Sequence, residues 1–421
     1  MQLLLDVGST TIKRMILNRG RIVDRAEAIT PPNCAAIAGR YEIDGEALFK
    51  AVLGMLTEGV SRETEGLLLS TQMHGFILTD EAGRPLTPFV TWQDRAALER
   101  HGGQTTLEAL AGVLPQEALF RAGVPLKANL GLVSLAARMR AGLAVPEGAL
   151  FHSLGGYVIY RLCGRHVCHL TNAGPCGIAD VLWARLNRRL IAGAGLDRLR
   201  YPRLLTGYSP CGVAAIAGHE LAIFPDLGDQ QLCLLGTPCR LEKGFHINVG
   251  TAGLAGMLTR RFAAGPYENR AWMEKGVYLR TVSGLPGGRS VAALHARIVA
   301  RGMGEEAAWR LMTTAEGVPR PLDWREDELL PRLPEDWDSE SWSVSLYAAM
   351  AERYRQAAKR MDCPAEEIYF SGGCALKNPA LRRAMAGAFP GARVYLCGVE
   401  RGAAALARRA QIWREEGKRN E

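Results

Sequence analysis

Apolar positions in this chain fall into short runs, broken by glycine, hydroxyls and charge. That is the pattern of buried strands alternating with amphipathic helices. LLLDVG (3–8) reads as a buried strand, and KRMILNRGRIVDRA (13–26) as two strands joined by an Asn-Arg-Gly turn. Helical periodicity over Gly45 to Thr57 precedes a second apolar strand, GLLLSTQ (66–72). GFILTDEAGRPLTPFVTW (75–92) predicts a hairpin about Glu81-Ala82-Gly83, and residues 107–163 are expected to be mostly helical. A strand-rich block starts near Phe224, helices return at 290–314 and 342–362, and IYFSGG (368–373) is another buried strand ending in glycines. Residues 318–341, rich in Pro, Trp and acids, predict an irregular connection, and RRAQIWREEGKRNE (408–421) an exposed helix that frays. Strands mixed with long helices argue for an α/β architecture.

Composition narrows the class. A chain of 421 residues is long enough for two domains, each with its own core. No apolar run approaches the roughly 18 residues of a membrane span. The start has neither the basic segment nor the cleavage site of a signal peptide. Ten scattered cysteines with no CxxC pair suit a reducing cytoplasm. Cys163, His166, Cys168 and His169 cluster in RLCGRHVCHL, but zinc ligands come as two spaced pairs, so these read as strand and turn residues. The net charge of +8 rests on arginines spread along the chain, not interleaved with aromatics. No nucleic-acid face is expected from that distribution.

One short motif occurs twice. Asp6-Val7-Gly8-Ser9 aligns with Asn248-Val249-Gly250-Thr251, each after a short apolar strand and before another. The repetition predicts a duplicated fold of two lobes, with the boundary near residues 223–224 (1–223 and 224–421). Glycine lets a backbone approach a ligand closely, and neighbouring N–H groups and hydroxyls form an anion nest that suits a polyphosphate. A carboxylate at Asp6 would repel phosphates unless a divalent cation lies between them. Lys13 can balance charge on a transferred phosphoryl group. Asp229, in DLGDQQ, stands where an acid could take a proton from a hydroxyl. Gly372 and Gly373, where a strand meets a helix, allow close approach of an adenine or ribose.

Taken together, these segments resemble the FGGY carbohydrate kinases. DVGSTT is similar to that family's first phosphate loop, NVGTAG to its second, GGCALKNPALRR to its adenosine loop, and GDQQ to the segment with its catalytic Asp. STQMHGFILTDEAGRPLTPFVTWQDR (70–95) resembles the sugar-binding stretch of its ketose kinases. The resemblance implies a two-lobed actin-like ATPase (ribonuclease H-like) fold: duplicated mixed sheets flanked by helices, with the active site in the interlobe cleft. It implies ATP and Mg²⁺, with a small-molecule sugar as partner, no nucleic acid, no membrane, and a homodimer as a possible assembly. Position by position, Asp229 is the general base and, with Asp6, the Mg²⁺ site. Gly8, Ser9, Thr10, Thr11 and Lys13 face the nucleotide phosphates, as do Gly250 and Thr251. Gln72, Met73 and His74 line the sugar pocket with Trp92, Gln93, Asp94 and Gln230. Gly372, Gly373 and Asn378 approach the adenosine, and Gly287 and Gly288 match nucleotide contacts more loosely.

The chain departs from the family pattern in places. Residues 314–341 lack a Gly-Glu-Arg segment, Gly156 stands where an acid is common, and HLTNAGPCG (169–177) lacks a frequent acid. Met73-His74 replaces the Arg-Glu pair of glycerol kinases, which disfavours a triol and points to sedoheptulose or xylulose. Two other classes fit part of the pattern. DVGSTT followed by Ile-Lys also resembles ATPase activators of radical dehydratases, and a sugar sensor would bind without turnover.

Overall fold

The computed structural model describes residues 1–325 and 328–419, with side chains to residue 411. The chain forms two compact units. The first comprises Met1–Gly236, Asn269–Val277 and the segment from Val399; the second comprises Thr237–Glu268 and Tyr278–Gly398. Residues 223 and 224, where the sequence suggests that the lobes meet, lie inside a strand of the first unit.

The first unit is built on one sheet. Its strands are β1 (Gln2–Val7), β2 (Thr11–Asn18) and β3 (Arg21–Ile29), then β4 (Gly66–Thr71), β5 (Gly212–Ile216) and β6 (His219–Gly228), in the spatial order β5-β6-β4-β1-β2-β3. The expected turn between β2 and β3 has positive φ at both Arg19 and Gly20, the two-residue hairpin geometry whose twist matches that of the flanking strands. β1, β4 and β6 are parallel neighbours. Every residue of β1 and β4 is buried, as expected for strands covered on both faces, which is why they read as unbroken apolar runs. On one face Leu3, Leu5, Leu67 and Leu69 pack against helices α1 (Gly45–Gly59) and α2 (Leu154–Cys163). Each fully buried side chain of this size contributes roughly 1.5–3 kcal/mol. After β6 comes the short helix α3 (Asp229–Leu235). The 75–92 hairpin forms around Asp80–Gly83, and helices occupy most of 106–163 with one short strand, Leu150–His152, before α2.

The second unit repeats this plan. β7 (Gly244–Val249) forms an antiparallel hairpin with β8 (Gly253–Thr259), as β1 does with β2. β8 is flanked by β9 (Tyr278–Leu285). The helices α4 (Gly288–Val299) and α5 (Ser339–Arg360) follow. β10 (Glu367–Ser371) then pairs parallel with β7, as β4 does with β1. Helix α6 (Pro379–Gly387) and edge strand β11 (Arg393–Leu396) follow. Its core joins Phe245, Ile247 and Val249 of the sheet to Leu294, Trp342, Leu346 and Met350 of the helices. Residues 326 and 327 of the irregular 318–341 connection lie outside the described residues.

The last helix, α7 (Val399–Arg419), belongs to the first unit. In the stretch expected to be exposed, Arg408 and Arg409 are exposed and Ala410 is buried, while the helix is packed before it. Ala403, Leu406, Ala407 and Ala410 are fully buried, and Gly402 lies so close to the Leu232 carbonyl of α3 that no side chain would fit. Their spacing of i, i+3, i+4 and i+7 is one helix face. Residues 420 and 421, where fraying is expected, lie outside the described residues.

Candidate functional site

In the first unit, three strand ends bring distant segments together. Val7, Thr71 and Gly228 lie opposite one another on β1, β4 and β6, all running in one direction. The chain leaves those carboxyl ends as Gly8-Ser9-Thr10, Gln72-Met73-His74 and Asp229-Gln230, and loops at such ends are where α/β sheets bind ligands. The Gln72 N–H donates to the Val7 carbonyl at 3.0 Å, carrying the β1–β4 ladder into the site. In the first turn the Gly8 N–H is already given to the Thr11 carbonyl, so the turn is closed there. Lys13 lies opposite Asp6 in the β1–β2 register.

The polar groups here are incompletely satisfied. Both amide atoms of Gln72 are buried with no partner among the described residues, and so is Nε2 of Gln230. Buried polar groups are normally hydrogen-bonded, and an orphan in a native fold calls for an explanation such as a ligand. Met73 is buried beside them, with its sulfur against Gly228. His74 has φ of 75°, a left-handed conformation that a non-glycine residue adopts only where its surroundings enforce it.

Two carboxylates belong to this site. Asp6 is buried, and its Oδ1 accepts from the Ser70 hydroxyl at 2.9 Å. Burial holds its pKa above the ordinary value, while the Ser70 bond and the Lys13 charge pull it back. Asp229, the first residue of α3, is pushed up to about 6 by burial and then by the Asp6 charge, against the pull of the Gln230 N–H and of Arg270. A buried carboxylate whose proton affinity is raised by the charge of a second one fits a cation. Among the described residues no group of three or more His, Cys, Asp or Glu side chains could hold a metal. Mg²⁺, which keeps several waters and takes phosphate oxygens, suits such a sparse set.

The WQD stretch is held by a hydrogen-bond network of its own. Trp92 and Gln93 are half-buried, but Asp94 is wholly buried and committed. Its carboxylate accepts from the Tyr41 and Ala96 N–H groups at 3.1 and 3.0 Å, from Ser134 at 3.2 Å, and pairs with Arg138. Asp94 therefore ties the 91–96 loop to its surroundings.

Sequence reasoning did not single out Asp226, Asn172 or Arg270. Asp226 accepts from the His169 N–H, Asn172 Nδ2 and the Ser153 hydroxyl, and burial pushes its pKa to about 6. A charge inside the apolar strand IFPDLG was the available signal. His169, from the Cys/His cluster, contacts Thr171 and the Gly207 carbonyl through its ring nitrogens. Arg270 carried no local signal, because it comes from a segment 40 residues beyond Gln230.

In the second unit, Gly250 and Thr251 form the turn between β7 and β8. The Gly250 N–H goes to Asn248 Oδ1, while Gly288 and Arg289 donate backbone N–H groups to the Gly250 and Thr251 carbonyls. Gly372, with φ of 86°, presses on Val249 and Gly250, and Gly287 on Ala252 and Gly253; a Cβ at either would meet backbone at 2.4–2.6 Å. These glycines build the second turn by close backbone packing. Gly373 faces open space. Asn378 is not left facing a ligand: its amide caps α6 through the Leu381 N–H and donates to the Tyr347 hydroxyl. A cavity of about 440 Å³ adjoins the turn, lined in part by Thr251, Gly287, Arg289, Trp324, Arg353 and Gln356.

Comparison with known proteins supplies the context. Residues 1–111 match the model for the FGGY family of carbohydrate kinases, N-terminal domain. A glycerol kinase of Agrobacterium fabrum is 28% identical over 258 residues, covering 56% of this chain and 50% of that protein. The chain thus spans about half the length of the curated relatives it matches. The crystal structure of a ligand-bound xylulose kinase from Lactobacillus acidophilus superposes with a TM-score of 0.81 at 18% identity, covering 98% of this chain and 89% of that one. Plasmodium falciparum glycerol kinase with ADP gives 0.77 at 14% identity, covering 98% and 90%. The fold is that of the FGGY sugar kinases, an actin-like ATPase fold of mixed sheets flanked by helices, as the sequence led one to expect. Residues 1–111 are thus similar to the N-terminal domain of the FGGY carbohydrate kinases, and the whole chain shares their fold.

Proposed function

We propose that the chain is an ATP-dependent kinase that phosphorylates a hydroxyl of a small sugar or polyol. The observation that carries this reading is a carboxylate, Asp229, with its pKa pushed to about 6, next to Gln230 and just beyond Gly228, whose register partner Thr71 precedes Gln72, a residue whose amide atoms lack partners among the described residues. In this reading the acceptor hydroxyl hydrogen-bonds to the two glutamines and gives its proton to Asp229. Its oxygen then bonds to the γ-phosphorus of ATP, and ADP leaves. Ser9, Thr10, Thr11, Lys13, Gly250 and Thr251 are the candidates for holding phosphates. When bound, Mg²⁺ offsets phosphate charge; Asp6, with Asp229, would hold it. Gly372 and Gly373 support the adenosine end, and Trp92 offers an apolar wall to sugar C–H groups.

Within this class we favour a ketose such as xylulose or sedoheptulose over glycerol, because Met73 and His74 stand between Gln72 and Gly75. We place the protein in the cytoplasm; no described helix is long and apolar enough to cross a membrane. The test is ADP release with sedoheptulose, xylulose, ribulose and glycerol. Turnover with a ketose is expected. Silence across the panel and a wider polyol set, with ATP still bound, would replace the kinase by a sugar sensor.

A further inference from the structure

The glutamine that meets the acceptor in this reading does not choose its own orientation. Gln230 Oε1 accepts from Arg270 Nη1 at 2.7 Å, in a buried contact. A guanidinium has donors and no acceptor, so the amide can present only its oxygen to Arg270. Nε2 is thereby turned away, and it is buried with no partner among the described residues. The same segment fixes the next glutamine with the opposite polarity. Gln231 Nε2 donates to the Ala271 carbonyl at 3.0 Å, which leaves Oε1 buried and unpartnered. Residues 270 and 271 thus set two adjacent amides, one as a free donor and one as a free acceptor. A free amide can flip between two nearly equal orientations, and the wrong one would set Oε1 against the lone pairs of a bound hydroxyl.

We propose that Arg270 is a positioning residue of the acceptor site: it locks the Gln230 amide so that Nε2 is held out as a hydrogen-bond donor to an oxygen of the bound polyol. The proposal rests on the reading of Asp229 and Gln230 as the acceptor end of a kinase. It adds that the segment 269–277, remote in sequence, sets the acceptor affinity of the first unit.

The test compares Arg270→Met, Arg270→Lys, Gln230→Met and Gln230→Glu in the full chain. Binding of D-xylulose, sedoheptulose and glycerol is measured by calorimetry, alongside KM and kcat where ADP is released. Arg270→Met and Gln230→Met should each weaken polyol binding about 10- to 100-fold, with the ATP KM unchanged within about twofold. The double variant should be little worse than either single one, because both remove the same contact. Arg270→Lys, which still donates to Oε1, should recover most of the affinity. Should Arg270→Met fail to fold, Gln230→Glu decides. It keeps a partner for Arg270 and exchanges the Nε2 donor for a carboxylate oxygen, so polyol binding should weaken at least as much as in Gln230→Met. Wild-type affinity in Arg270→Met or Gln230→Glu, or additive losses in the double variant, would overturn the proposal. So would a wild type that binds none of the polyols. A wild type that binds a polyol without releasing ADP would remove the kinase reading alone, and the binding ratios would still decide the role of Arg270.

Discussion

Asp6 and Asn248 hold the same place in two copies of one plan. Each is the penultimate residue of a strand that turns through glycine into an antiparallel partner, and each is paired in register with a serine on a parallel neighbour, Ser70 or Ser371. The side chains part ways there. Asn248 is satisfied within the fold, with Oδ1 taking the Gly250 N–H and Nδ2 donating to Ser371 at 2.8 Å. Asp6 takes the Ser70 hydroxyl, keeps a carboxylate that burial disfavours, and raises Asp229. One copy is finished as scaffold, and the other retains unsatisfied charge. A fold holds such charge at a site that binds something, since structure alone is better served by the amide.

The largest effect should come from removing the base. Asp229→Asn keeps shape and hydrogen bonding but lacks the basic oxygen, and should lower kcat at least about 100-fold, roughly 2.7 kcal/mol of barrier, with ATP affinity little changed. In the wild type, kcat/KM should fall about tenfold per pH unit below about 6, as Asp229 takes up its proton. A near-normal kcat in the variant would reduce Asp229 to a loop acid.

Next comes making the first copy resemble the second. Asp6→Asn should weaken the Mg²⁺ requirement's midpoint about 10- to 100-fold in a titration of rate against free Mg²⁺, with the fold intact because Asn already serves at the equivalent position. An unchanged midpoint would make Asp6 structural.

The reverse exchange should be milder. Asn248→Asp brings a charge to the second turn, where phosphates are to bind, and should raise the ATP KM about tenfold with acceptor KM unchanged. Equal losses for both substrates would show a general disturbance of the unit.

The smallest effect is on stability. The native fold raises the Asp229 pKa above its unfolded value, so the native state binds the proton more tightly and is disfavoured as pH rises through about 6. Asp229→Asn should therefore melt above the wild type at pH 8 and show no such gain at pH 4. A gain of equal size at both pH values would mean that ionisation is not its source.

Legibility followed how local each signal is. β1, β4 and β7 announce themselves as apolar runs that end in glycine or hydroxyls, because full burial on both faces leaves no room for polar residues. The turn pair was found because a strand, a glycine and a hydroxyl must be adjacent in sequence to make it. Asp94 could not be assigned in this way. A carboxylate in a WQD loop looks the same whether it meets a ligand or, as here, Tyr41, Ala96, Ser134 and Arg138, three of them 40 or more residues away. Asn378 presents the same ambiguity, since capping a helix and touching a nucleotide both call for an amide.

The sequence by itself determined the elements, the duplication and the residue types of the site, because strand burial, turn chemistry and the charge at Asp6 are properties of short stretches. Tertiary structure alone decided which polar groups were left over. Satisfaction is a count of partners, and the partners of Gln230, Asp226 and Asp94 come from segments about 40 to 70 residues away. Only when β1, β4 and β6 lie in register do Gly8, Gln72 and Asp229 leave neighbouring strand ends, and only then can two unsatisfied amides and a raised carboxylate be recognised as one site.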